Sequence, residues 1–254
     1  MHTVSRFTML FLLFCLVALP VRADELLSLK VGYLLLEPQG DFAAEVDGVG
    51  TLIDVEDDLN FDDSKGVTAE VGLQLGSFRL SAGYLPLSFS GDASLNRDVV
   101  FDGQTFTANT QVSSDIDVDL YDIGLTWYLL NTDEMPVRVQ LGPELAVKVA
   151  DAEVSMTDRT IGITEEASGV APIPTVGLRG RVAFGDMFGI VGRVGYISYS
   201  DNSFLDAEVQ VEFSPVPMVG IYAGYRLFDI DIDENDVLLD LRFSGPFAGV
   251  MVRF

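Results

Sequence analysis

The stretch AEVQVEFSPVPMVGIYAGYRL, residues 207–227, is written in steps of two. Ala207, Val209, Val211 and Phe213 alternate with Glu208, Gln210 and Glu212. After Ser214-Pro215-Val216-Pro217 the beat resumes, with Val219, Ile221, Ala223, Tyr225 and Leu227 against Gly220, Tyr222, Gly224 and Arg226. Period-two alternation around a short proline-bearing turn predicts a β-hairpin. The fold then turns on whether the apolar side of such strands faces a core or faces lipid.

The same beat recurs along the chain and predicts ten strands: 27–36, 67–75, 78–89, 116–128, 137–149, 173–184, 188–198, the two of the quoted hairpin, and 237–254. In the fourth the apolar positions change phase near Leu120-Tyr121, which predicts a bulge where the strand leaves the membrane. The tenth is interrupted at Ser244-Gly245-Pro246. Connections 76–77, 129–136, 185–187 and 214–218 are short, whereas 37–66, 90–115, 150–170, 199–203 and 229–236 are mostly longer and acidic. Short turns on one rim, long loops on the other and an even strand number describe an all-β, antiparallel, up-and-down transmembrane barrel of ten strands, eight being the neighbouring even count. A soluble sandwich gives no reason for that asymmetry.

The two faces differ as a membrane barrel requires. The polar face carries Lys30, Glu70, Arg79, Arg138, Glu144, Lys148, Arg179, Arg181, Arg193, Asp206, Glu208, Glu212 and Arg226, an arginine-rich set mixed with carboxylates and interspersed with glycine. On the apolar face Phe78, Trp127, Phe184, Phe188 and Phe213 flank the short turns, while Tyr84, Tyr196 and Tyr225 lie toward the long loops. Two aromatic levels a strand-length apart match interfacial girdles, which core aromatics do not explain. The apolar face is therefore expected to look outward.

Residues 1–23 combine Arg6, an apolar run from Phe7 to Val21 and Val21-Arg22-Ala23, the pattern of a cleaved secretory signal, leaving 24–254 as the barrel. Cys15 lies in that run, so the mature chain has no cysteine, and losing Arg6 and Arg22 takes the net charge from −24 to −26. Such acidity, with no basic tract, excludes a nucleic-acid partner. No segment specifies an oligomeric state.

The chain ends AGVMVRF, with Ala248, Val250, Val252 and Phe254 on one face. Here it resembles Gram-negative outer-membrane barrel proteins, whose last strand finishes in an aromatic with apolar residues at every second position. That resemblance implies an outer-membrane location, contact with outer-membrane lipid and lipopolysaccharide, and an assembly signal in Val250, Val252 and Phe254 read by the barrel-assembly machinery. DVEDDLNFDD (54–63) and SGPFAGVMVRF (244–254) look like a porin-like family of small barrels, a likeness that implies a fold and no activity.

Pairing Phe184 with Phe188 sets Arg179 opposite Arg193, and pairing Phe213 with Val219 sets Asp206 opposite Arg226. Opposed guanidiniums require flanking acids, for which Glu144, Glu208 and Glu212 are available. These residues are expected to form an ion-pair network filling a narrow lumen; the sharper reading makes Arg179, Arg181 and Arg193 an anion-binding constriction of a narrow diffusion channel. Outer-membrane barrel hydrolases and acyltransferases resemble one another in using histidine, the natural proton shuttle near neutral pH. The one histidine, His2, lies in the signal, so no enzymatic activity is expected.

The acidic loops remain. Residues 41–63 hold nine acids and no base. In DIDIDENDVLLD (229–240), Asp229, Asp231, Asp233 and Asp240 approach a calcium-loop spacing, but Glu234 stands where that loop needs glycine. Solvation of extracellular loops accounts for the acids, with a loosely held calcium or magnesium ion, bridging to lipopolysaccharide phosphates, as the cofactor they allow. The function expected is a non-enzymatic structural or surface-binding barrel; a soluble periplasmic ligand-binding barrel is the third reading.

Overall fold

Residues alternating between two environments cannot form helices that bury one stripe; they form strands, and strands that cross a bilayer must close so that no edge is left unpaired. The computed structural model describes residues 26–44, 51–56, 58–101, 104–132, 136–200, 202–216, 218–234 and 237–254; the expected signal segment lies outside them. Ten long strands form one antiparallel sheet: β1 (Leu27–Ala44), β2 (Ser64–Leu75), β3 (Phe78–Ser94), β4 (Gln111–Trp127), β5 (Val137–Asp158), β6 (Thr164–Phe184), β7 (Phe188–Tyr199), β8 (Asn202–Val216), β9 (Val219–Glu234) and β10 (Val237–Arg253). Two-residue strands at Ile53–Asp54 and Leu130–Asn131 join the same sheet, and Val99–Phe101 pairs with Gln104–Phe106 apart from it. β10 pairs β1, from Ser28↔Arg253 upward, which closes the barrel.

Stepping across the ladders shows its tilt. From Leu27 the partners run Leu73, Leu80, Leu125, Leu145, Val176, Tyr196, Leu205, Asp229, Arg242 and back to β1 at Gln39, twelve residues beyond the start. That stagger of twelve over ten strands is the shear that tilts the strands and sets the interior width. The same row passes from lipid-facing leucines through Tyr196 into the Asp229–Arg242 ion pair, so it climbs out of the membrane.

The strands are longer than the alternation suggests, and the long connections are largely ladder. β5 and β6 stay paired from Phe184↔Val137 to Thr164↔Thr157, so 150–170 is a hairpin and not a loop. β1 and β10 stay paired as far as Ala44↔Val237. In this overhang the exterior is polar and the interior apolar, and a reading tuned to outward-facing apolar residues stops at the membrane boundary.

β4 shows the inversion most plainly. Its registers are unbroken, with β3 from 111 to 127 and with β5 from 112 to 126, so the expected bulge at Leu120-Tyr121 is absent. Ile116 and Leu120 are buried inside while Asp115 and Asp117 face out; below them Tyr121, Ile123, Leu125 and Trp127 face out and Asp122, Gly124 and Thr126 face in. The chain does not change phase. The two media exchange sides.

The overhang encloses an apolar core. Leu34, Leu36 and Phe42 of β1, Leu85, Leu87 and Phe89 of β3, Ile116 and Leu120 of β4, and Phe204, Phe228, Leu241 and Phe243 of the last three strands pack with Ile53, Val55 and Leu59 from the first connection. Phe89 stacks on Phe243 with ring centroids 4.9 Å apart. Apolar contacts of this kind, at roughly 25 cal/mol per Å² buried, hold together the part of the barrel that lipid does not surround.

Two local irregularities follow from proline. The β8–β9 register slips between Phe213 and Val216, where Pro215 cannot donate to the ladder. The pairs are Val216↔Val219 and Phe213↔Ile221, so Phe213 does not face Val219 as expected, and Arg226 lies opposite Glu208, with Asp206 opposite Phe228. The interruption at Ser244-Gly245-Pro246 is one-sided: the β9 ladder continues through it while the β1 ladder skips from Phe247 to Ser244. There the Leu35 carbonyl occupies the space a Cβ on Gly245 would need.

Candidate functional site

Below the apolar core the interior is a continuous ion-pair network. Phe184 faces Phe188, which sets Arg179 opposite Arg193, and β8 adds Glu208 beside Arg193. Glu144 resolves that like-charge pair: Arg193 Nε donates to Glu144 Oε1 at 2.5 Å, and Arg179 Nη1 lies 3.6 Å from Oε2. Thr126 Oγ1 donates to the same Oε2 at 2.7 Å. Arg193 also reaches Asp122 at 2.5 Å, and Asp122 accepts from Lys148 Nζ at 2.8 Å.

Lys148, fully buried, spans to Asp206 at 2.7 Å. Arg226 grips both oxygens of Asp206 at 3.0 and 3.1 Å despite the shifted register, and Glu208 lies 3.5 Å away. A guanidinium is long enough to reach one step along the neighbouring strand, so the slip changes the directly opposed residue without losing the pair.

Toward the short turns Glu70 receives Arg79 at 3.2 Å and Arg179 at 3.5 Å. Glu212 gathers Lys30 at 3.3 Å, Arg181 at 3.3 Å and Arg253 at 2.5 Å. Arg138 sits at the rim, bonded to the Gly185 carbonyl at 2.9 Å and paired with Asp186 at 3.1 Å. Two members escaped sequence reasoning. Asp122 was hidden by the apparent phase change, and Arg253 by its place beside the terminal aromatic, although alternation with Val252 and Phe254 turns it inward.

At least two small cavities interrupt this packing among the described residues. One of about 60 Å³ lies where the network meets the apolar core, lined among others by Lys30, Asp122, Gln210, Tyr222 and Phe247, with room for roughly four to six water molecules. The other, about 20 Å³, lies toward the short turns.

The exterior carries the two aromatic levels. Phe78 stacks on Trp127 at 6.0 Å, and Phe188 packs on Phe213 at 5.0 Å, with Phe184 beside Phe188 in register. Above them Tyr84, Tyr196 and Tyr225 are exposed, joined by Tyr33 and Tyr121; Tyr84 and Tyr121 are directly opposed with centroids 5.2 Å apart. Tyr84 Oη donates to Asp119 at 2.6 Å, the first acid above the ring. Between the levels Val209, Ile221 and Val250 are more than half exposed, whereas the Arg181 and Glu208 side chains are 13% and 14% exposed. Apolar residues outside and charges inside are the reverse of a soluble barrel.

At the chain end Phe254 N donates to the Leu27 carbonyl at 2.8 Å, Val250 faces out, and Val252 and Phe254 are half-buried. Asp229, Asp231 and Asp233 lie along the outside of β9: Asp229 pairs with Arg242 at 2.5 Å, and Asp231 is opposite Asp240. Among the described residues no three carboxylates converge as metal ligands.

No protein-family model matches the chain, and no curated protein matches it. Among solved structures it is similar to Neisserial surface protein A (12% identity, TM-score 0.38, covering 92% of this chain and 100% of that one). It is also similar to Ail, the attachment invasion locus protein of Yersinia pestis (11%, 0.38, 90% and 99%), and to the translocator domain of the autotransporter NalP from Neisseria meningitidis (12%, 0.46, 98% and 96%). The fold rests on the closed ladder itself: a ten-stranded antiparallel barrel, apolar outside and charged inside across its lower half, with both relations reversed above.

Proposed function

We propose that the protein is a non-enzymatic barrel of the bacterial outer membrane whose water-facing overhang is its working surface, in a structural or surface-binding role. The supporting observation is the lumen. Among the described residues an apolar plug above and a paired charge network below occupy the lumen, and the cavities of about 60 and 20 Å³ between them each hold only a few water molecules. On this reading its surroundings are outer-membrane lipid and lipopolysaccharide, and the assembly machinery reads Val250, Val252 and Phe254 during biogenesis.

The overhang offers a surface suited to binding. β6 runs from Thr164, but its pairing with β7 begins only at Val176, so among the described residues its edge from 164 to 175 has no strand beside it. Pro172 and Pro174 remove donors nearest the membrane, while every second residue from Thr164 to Val170 still turns its N–H away from β5. An open edge of this kind accepts an extended segment by strand addition. Planar-bilayer recording on the refolded protein tests the reading: no conductance steps above background are expected, and reproducible single-channel steps would replace it with a diffusion channel.

A further inference from the structure

We propose that the short-turn end of the lumen holds one small inorganic anion of chloride's size, bound between Arg79 and Arg179. Both guanidiniums spend one nitrogen on the same acceptor: Arg79 Nη2 and Arg179 Nη2 lie 3.2 and 3.5 Å from Glu70 Oε1. Arg79 Nη2 also donates to Ser28 Oγ at 3.0 Å. Of their remaining nitrogens, Arg79 Nε and Arg179 Nη1 are buried without a hydrogen bond, Arg179 Nη1 having only the 3.6 Å ion-pair contact to Glu144, on side chains 6% and 4% exposed.

The neighbouring carboxylates already receive other donors. Glu144, 3.6 Å from Arg179 Nη1, accepts from Arg193 on Oε1 and from Thr126 on Oε2. Glu212 accepts from Lys30, Arg181 and Arg253. Buried charged donors left unmatched are costly, and arginine cannot relieve the cost by losing its proton.

Both arginines line the 20 Å³ cavity with Lys30, Arg181 and Arg253; the one carboxylate in that lining, Glu212, already receives Lys30, Arg181 and Arg253. Five cationic side chains against one carboxylate make a lining whose excess charge suits an anion. The volume admits one or two water-sized bodies, which suits a halide and excludes a phosphate ester or nucleotide. The site lies beside the short turns, so the ion enters from that rim. It stands independently of the surface-binding reading, since it needs neither the overhang nor a closed plug.

Crystals of the full chain grown in sodium bromide test it directly. An anomalous bromide peak within hydrogen-bonding distance of both Arg79 Nε and Arg179 Nη1 is expected; density there without anomalous signal marks water and overturns the proposal. In solution, replacing gluconate with chloride at constant ionic strength should raise the midpoint of the heat-induced gel-mobility shift by several degrees and saturate. Arg79→Gln should flatten that dependence while Lys65→Gln keeps it. An equal chloride response in wild type and Arg79→Gln would overturn the site whatever their absolute stabilities.

Discussion

Arg179 and Arg193 face each other across adjacent strands, and both reach one shared carboxylate, Glu144. Directly opposed like charges destabilise a sheet unless an opposite charge lies beside them. Glu144 comes from β5, on the far side of β6, so the ladder on both sides of β6 must be correct before the charges balance. The network thus couples side-chain pairing to strand register.

Replacing Glu144 with Gln leaves two buried guanidiniums sharing fewer anions. Loss of one partner of a buried pair costs about 3–5 kcal/mol. Urea unfolding of Glu144→Gln in lipid vesicles should show a midpoint lowered by that order, while Asp186→Asn, at the exposed rim, should shift it by less than about 1 kcal/mol.

The inversion of polarity along one strand face can be tested on β3. Leu80 and Ser88 both point outward, one below the tyrosine ring and one above it. Leu80→Arg puts a charge against acyl chains and should destabilise folding by about 2–4 kcal/mol. Ser88→Arg faces water and should stay within roughly 0.5 kcal/mol of wild type in the same titration. Equal effects would mean that the tyrosines do not mark the boundary.

Close approach of backbones between β6 and β7 depends on glycine. A Cβ at Gly177 would collide with the Val194 carbonyl, whereas one at Gly192 meets nothing within 4 Å. Gly177→Ala should lose about 1–3 kcal/mol by overpacking, and Gly192→Ala should be neutral or slightly stabilising. Heat-induced gel-mobility shifts of the two variants compare them directly.

Acidic residues crowd the overhang. Asp41 is opposite Asp240 on one side and Asp54 on the other. Burial and then the Asp54, Asp240 and Asp58 carboxylates push its pKa above the usual 3.8, with Arg97 opposing them. The folded state therefore binds a proton more readily than the unfolded chain, so this group's contribution to stability improves as pH falls from neutral through its raised pKa and is lost as pH rises. Asp41→Asn should stabilise the protein at pH 7 by a few tenths of a kcal/mol. The gain should shrink as pH falls through the raised pKa and be gone below the unfolded value, as read from paired unfolding curves.

Much of this was legible in the residues themselves. Period-two alternation, arginines on the non-apolar face and aromatics at two levels are local facts, and they fixed ten strands, which side of the membrane band faces lipid, and the Arg179–Arg193 opposition set by a tight turn between Phe184 and Phe188. Alternation says that two faces differ, however, and cannot say what medium lies beyond each face. The same pattern with the media exchanged read as a phase change at Leu120-Tyr121, and it hid Asp122.

Tertiary structure decided the rest. The slip at Pro215 altered the opposed residue on β9, because a proline turn does not dictate register by its length. The shear of the closed barrel brought Glu144, Asp122 and Glu212 from separate strands onto their arginines. Such convergence depends on curvature and closure, which no window of sequence contains; the amino-acid order determined a wall with two faces, and only its closure determined what fills it.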